Sequence, residues 1–105
     1  MKKGFVYLLE DYRNNERAFK IGFTTTSVNK RIKQLQTGNS VNIIEVFKYQ
    51  TINYLKVEKI LHRLFAPQHK RGEWFSITDE QAFTFLDECK KADTNIKYLL
   101  DNSTL

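Results

Sequence analysis

Two short apolar runs near the start, Gly4 to Leu9 (GFVYLL) and Ala18 to Phe23 (AFKIGF), are separated only by the polar stretch Glu10 to Arg17. Two strands joined by such a stretch make an antiparallel hairpin, and every later element has to pack on it. The connection holds Asn14-Asn15 and is longer than the tightest turns, so the register stays open at this point.

After the hairpin, Thr24 to Ser27 offers several N-cap residues, with Ser27 favoured. Val28, Ile32 and Leu35 then mark one face of a helix that carries Lys30, Arg31 and Lys33 elsewhere and ends at Gly38-Asn39. Asn42 to Gln50 is rich in β-branched and aromatic residues and reads as a third strand. From Asn53, a second helix shows Val57, Ile60, Leu61, Leu64 and Phe65 at helical spacing and stops before Pro67. His69 to Gly72 reads as a basic loop, and Glu73 to Ile77 as a short strand or packed turn. Thr78 and Gln81 form a capping-box signal. The helix they open carries Ala82, Phe83, Leu86 and Cys89 on its apolar side, and a last helix is expected from Thr94 to Leu100. The order predicts an α/β (α+β) fold: a three-stranded antiparallel sheet flanked by helices, with a C-terminal helical tail. A chain of 105 residues, 41% hydrophobic, fits a single domain over 1–105, with its core at about 4–77 and the helical extension at 78–105.

The formal net charge of +5 favours polyanionic partners. A single cysteine, Cys89, excludes an intrachain disulfide, and its helical setting makes it a buried structural thiol. The first residues lack a signal-peptide cleavage site, and no apolar stretch reaches the roughly 20 residues a membrane helix needs. The expectation is a soluble, intracellular protein with no membrane partner.

Five side chains bear on chemistry, and each has an ordinary structural reading beside the functional one. Tyr7 is either a core tyrosine or a reactive phenol. Arg31, beside Lys30 and Lys33, is either part of a solvated basic face or a bidentate phosphate ligand. Glu58 and His62 lie four apart on one helix face: a surface pair, or a carboxylate ligand for Mg²⁺ or Mn²⁺ with a histidine beside it. Zinc would need more ligands than His62 and His69 supply. In HKRGEWF, Trp74 and Phe75 read as core, while Lys70 and Arg71 join Lys30 and Lys33 as candidate nucleic-acid contacts.

Taken in order, FVY (Phe5 to Tyr7), KIGFT from Lys20, NKRIKQLQTG with Arg31, VEKILHRLF with Glu58 and His62, and GEWFSI resemble the GIY-YIG nuclease superfamily. The likeness is to its phage, bacterial and poxvirus branch, and it spans roughly Gly4 to Ile77. It implies a three-stranded sheet with the two tripeptides on neighbouring strands. By that resemblance Tyr7 helps activate the attacking water, Arg31 stabilises phosphate charge, and Glu58 holds one divalent metal, Mg²⁺ or Mn²⁺. His62 matches the branch's histidine, near the phosphate or in proton transfer. Lys20 stands where the wider superfamily has a tyrosine, and it supplies positive charge to ease ionisation of Tyr7.

The function so implied is metal-dependent hydrolysis of DNA phosphodiesters in a bacterial or phage-infected cytoplasm, with RNA as the other candidate substrate. A nucleic-acid-binding module of the same fold that cuts little or nothing is the alternative. An interaction protein using Phe83, Phe85 and Leu86 is a third, consistent with a monomer or weak dimer.

Overall fold

The computed structural model describes residues 2–13, 16–36 and 42–102. The expected connection at Asn14-Asn15, the expected helix stop at Gly38-Asn39 and the last three residues lie outside these. Strands β1 (Gly4–Arg13) and β2 (Glu16–Thr24) form the expected hairpin, with Tyr7 opposite Gly22, Leu9 opposite Lys20 and Arg13 opposite Glu16. The polar stretch is therefore strand almost throughout, not a long loop. Cross-strand pairing makes this possible: Arg17 donates from Nε to Glu10 Oε1 at 2.8 Å and lies 4.8 Å over the Phe19 ring. Arg17 also pairs with Asp79, which ties the far end of the hairpin to a later helix. These exposed pairs contribute at most about 1 kcal/mol each, enough to favour the register without driving folding.

Strand β3 (Ile43–Thr51) pairs antiparallel with the other side of β1, with an irregularity between Leu8 and Leu9. The sheet then continues past β2. Strand β4 (His69–Arg71) and strand β5 (Trp74–Phe75) form a second small hairpin, giving five strands in the order β3-β1-β2-β5-β4 where three were expected. The segment read as a basic loop is β4. Strands of three and two residues are too short to show alternation, and they are extended because Phe75 pairs with Phe19 and Trp74 with Lys20. Gly72, at φ 53°, makes the tight turn between them.

Alternation along β1 and β2 divides the core in two. Val6, Leu8, Phe19 and Ile21 face a larger layer built from helix α2 (Tyr54–Leu64), helix α3 (Asp79–Phe83) and helix α4 (Phe85–Asp101). Tyr7 and Leu9 face the other way, against Val28, Ile32 and Leu35 of helix α1 (Val28–Gln36), together with Trp74. Ser27 caps α1 as expected, accepting from the Lys30 amide at 3.1 Å. Thr78 and Gln81 complete both bonds of the capping box at α3. Among the described residues, no helix is long and apolar enough to cross a membrane.

Beyond that cap the chain departs from expectation. The helix opened by Thr78 stops at Phe83, and α4 then runs without a break to Asp101, so there is no separate tail helix over 94–100. Phe85, Cys89, Ala92 and Ile96 recur at helical spacing and form one buried stripe, which carries α4 through the polar middle of its sequence. Phe83 falls off that stripe and is 76% exposed, so it is not on an apolar side, while Phe85 is wholly buried. Cys89 is buried as expected, and burial pushes its thiol up to about 12, which leaves it unreactive at neutral pH.

Asp93 fastens α4 to the sheet. The Tyr49 hydroxyl donates to its Oδ2 at 2.8 Å, and Asn53 Nδ2 donates to its Oδ1 at 2.8 Å. Burial alone would raise this carboxyl, but the bonds from Asn53, Tyr49 and Thr51 outweigh it and hold the pKa below the ordinary aspartate value. Because the folded value lies below the unfolded one, the contribution to stability is present above the unfolded pKa of about 3.9 and is lost as pH falls through the folded value. Asp93→Ala should therefore destabilise the fold by about 1–3 kcal/mol at pH 7. In urea unfolding across pH, the gap between wild type and Asp93→Asn should narrow below about pH 4; a gap independent of pH would refute the assignment.

Candidate functional site

Tyr7 sits at the centre of β1 and is fully buried. Directly across the ladder is Gly22, whose missing side chain leaves a slot for the phenol. A Cβ at Gly22 would lie 2.6 Å from Tyr7 Oη and 2.8 Å from Cζ, well inside contact distance. The glycine of the KIG tripeptide is thus required by the ring opposite it, which crosses β2 toward the strand's outer side.

That side of β2 is only partly covered. Strand β5 pairs with it at Phe19 and Lys20 alone, so no strand pairs there with residues 21–24. Other groups occupy the backbone at Ile21: its N–H donates to the Glu73 carbonyl at 3.1 Å, and its carbonyl accepts from His62 Nε2 at 2.8 Å. The candidate site forms around this stretch, where the two core layers meet.

Arg31 reaches it from α1. Its Nε donates to the Tyr7 hydroxyl oxygen at 3.3 Å, and its Nη1 lies 3.4 Å from Gln34 Oε1. Arg31 is half-buried and bonded to the phenol, whereas its neighbours Lys30 and Lys33 are exposed. Burial raises the Tyr7 pKa; the bond and charge of Arg31 oppose this, while Glu73 and Glu58 push it further up. The net shift is upward, so Tyr7 is protonated at neutral pH. Its oxygen accepts from Arg31, and its own proton remains available to a second acceptor.

Glu58 comes from α2, one turn before His62, with Oε1 4.0 Å from His62 Nε2. Its side chain is only 13% exposed. Desolvation raises its pKa, His62 lowers it, Glu73 raises it, and Lys59 and Lys20 lower it. The carboxylate is therefore held partly out of water, the condition a hard cation relieves. His62 is fixed by its bond to Ile21 and by the Phe75 ring, whose centroid is 4.9 Å away. A carbonyl only accepts, so Nε2 carries the proton and Nδ1 is the nitrogen left over. His69 is committed in the same way, with Nε2 2.8 Å from the Gly72 carbonyl. Among the described residues, no three His, Cys, Asp or Glu side chains cluster as metal ligands.

Lys20 is not the cation bonded to Tyr7. Its ammonium pairs with Glu73 Oε1 at 3.1 Å and lies 5.2 Å from the Trp74 ring centroid. Glu73 is the site residue that sequence reasoning missed, because GEWF reads as core aromatics after a basic loop. The signal was available only through pairing: once Trp74 is placed opposite Lys20, the preceding glutamate must lie beside the lysine. The four remaining candidates sit on two separate elements. Lys30 and Lys33 are exposed on α1, while Lys70 and Arg71 are exposed on β4 at the sheet's outer edge. Lys70 is also partnered, with Nζ 3.5 Å from Glu16 Oε2.

No curated protein and no solved structure matches the chain. A family does, across residues 4–102, which takes in both core layers and every candidate side chain. The chain belongs to the T5orf172 domain family, a phage-associated family of the GIY-YIG/HNH-like endonuclease class.

Proposed function

We propose that this domain is a GIY-YIG-type endonuclease that hydrolyses DNA phosphodiester bonds with one Glu58-bound Mg²⁺ or Mn²⁺. The observation that carries the reading is the Tyr7 hydroxyl, laid over Gly22, bonded by Arg31 and set within the electrostatic reach of Glu58. Membership of an endonuclease-class family supports it.

Each residue has a part that its surroundings permit. Glu58 offers a desolvated hard oxygen; one carboxylate is enough for an ion that keeps water and phosphate oxygens as its other ligands. When bound there, the ion supplies Lewis acidity at the phosphate and lowers the cost of ionising water. Arg31 binds the phenol through Nε and reaches Gln34 through Nη1, which leaves Nη2 to face the charge that builds on phosphate. Tyr7, protonated and held by Arg31, orients the attacking water, whose proton leaves to solvent; its raised pKa makes it a poor base in the free protein. His62 holds α2 against β2, and so fixes where Glu58 stands.

Purified protein should nick or cut DNA in Mg²⁺ or Mn²⁺ and lose the activity in EDTA. Glu58→Ala should abolish metal-dependent cutting, and Tyr7→Phe should slow it by about 10²–10⁴-fold. Cutting that persists unchanged in Glu58→Ala sinks the assignment. Gly22→Ala gives a separate test, because a methyl group there displaces the ring without touching any charged group. It should stay folded by circular dichroism yet lose about 10²-fold in rate; full activity would show that the placement of Tyr7 is immaterial.

The upward shift of Tyr7 is also what favours the second reading, a binding module with little or no catalysis. That reading expects DNA or RNA binding that needs no metal and falls steeply with salt, with a log–log slope of about −0.9 per phosphate contact on duplex DNA. Binding that ignores salt would remove its support.

A further inference from the structure

We propose that Glu73 is a positioning residue: its carboxylate holds the Lys20 ammonium against the Trp74 ring, at the rim of the Tyr7–Arg31–Glu58 site, so that this lysine meets a substrate phosphate from a fixed place. The consequence for cleavage rests on the nuclease reading above; the clamp itself rests on geometry.

Glu73 is tied down at both ends. Its backbone carbonyl accepts from the Ile21 amide at 3.1 Å, and its Oε1 lies 3.1 Å from Lys20 Nζ. Lys20 is enclosed as few lysines are, with its side chain 10% exposed against 38% for Glu73. In the sheet it is flanked by Leu9 of β1 on one side and Trp74 of β5 on the other. The Trp74 ring lies 5.2 Å from the ammonium, within cation–π range. A free lysine has a flexible four-carbon stem whose freedom is lost on each binding event, whereas this one is already immobilised. Lys20 and Gly22 both lie on the Tyr7 face of β2, so Lys20 stands two residue pairs along the ladder from Tyr7. The cost of the arrangement is a second negative charge in the site. Glu73 opposes ionisation of both Tyr7 and Glu58.

Trp74 is the single tryptophan of the chain, so its emission reports the clamp without any need for activity. Lys20→Met and Glu73→Gln should each change Trp74 emission in the same direction, and the double variant should change it no more than either alone. Glu73→Ala, which removes the acceptor altogether, should match Glu73→Gln, with thermal melting showing all variants folded. In cleavage, Glu73→Gln should lower kcat by about 10- to 100-fold. It should leave KM unchanged or lower it, because an anion beside the phosphate has gone. A merely structural residue would not divide kcat from KM in that way. Unaltered Trp74 emission in both Glu73 variants, or additive effects of the Lys20 and Glu73 substitutions, would overturn the positioning role. Wild-type cleavage alongside such a result leaves the nuclease reading intact. Coupled emission in a protein that cuts no DNA establishes the clamp and defeats the nuclease reading instead.

Discussion

Tyr7 and Gly22 face one another across the β1–β2 ladder, and most of the structure follows from that single pairing. Side chains alternate along a strand, so a one-residue slip would turn Val6 and Leu8 toward α1 and drive Tyr7 into the layer under α2 and α4. It would also set the phenol against Ile21 or Phe23, where no slot exists. The register that buries both apolar sets is the one that opens the space over Gly22. Folding energy and site geometry therefore select the same alignment, and the site needs no strained backbone of its own.

From that pairing the two faces of the sheet are drawn into one place. Arg31 arrives from the α1 layer and Glu58 from the α2 layer, yet both act on the same hydroxyl. They meet because β5 covers β2 for only two residues, and because His62 reaches from α2 to the Ile21 carbonyl just beyond. The Phe75 ring, in edge contact with both His62 and His69, anchors that junction from below. The short β4–β5 hairpin is therefore more than an extension of the sheet: it supplies Glu73, Trp74 and Phe75 to the site's border.

Much of this was legible in the residues, and the failures share a cause. The first hairpin, the Ser27 and Thr78 caps and the apolar stripes of α1 and α2 are local signals, encoded within a few positions of where they act. Strands β4 and β5 are not local, since their extended form comes from pairing with Phe19 and Lys20, far back in the chain. Polar residues in the first hairpin read as loop because alternation with charged side chains hides a strand whose faces are satisfied by cross-strand ion pairs. Along α4, the apolar side ending at Cys89 and the segment Thr94 to Leu100 read as two helices, although one buried stripe spans both. The same distinction holds in the site. Tyr7, Arg31 and Glu58 were legible as a pattern; a hydrogen bond joins the first two, and the charge of Glu58 reaches the phenol. The partner of Lys20 was not, because an ion pair between β2 and the turn before β5 has no signature in spacing.

The electrostatics bear on why the proposed reaction would require its metal. In the free protein, Tyr7 is held neutral by burial, which outweighs the bond and charge of Arg31, while Glu73 and Glu58 add smaller upward pushes. Arg31 is directed at the phenol and outweighs the carboxylates but not burial, and Lys20 is paired with Glu73. A divalent ion that neutralised Glu58 would move this balance downward. Glu58 then no longer opposes ionisation of the phenol, and the ion's excess positive charge favours it. One carboxylate would thus serve twice, as a ligand and as the group whose neutralisation makes Tyr7 easier to deprotonate.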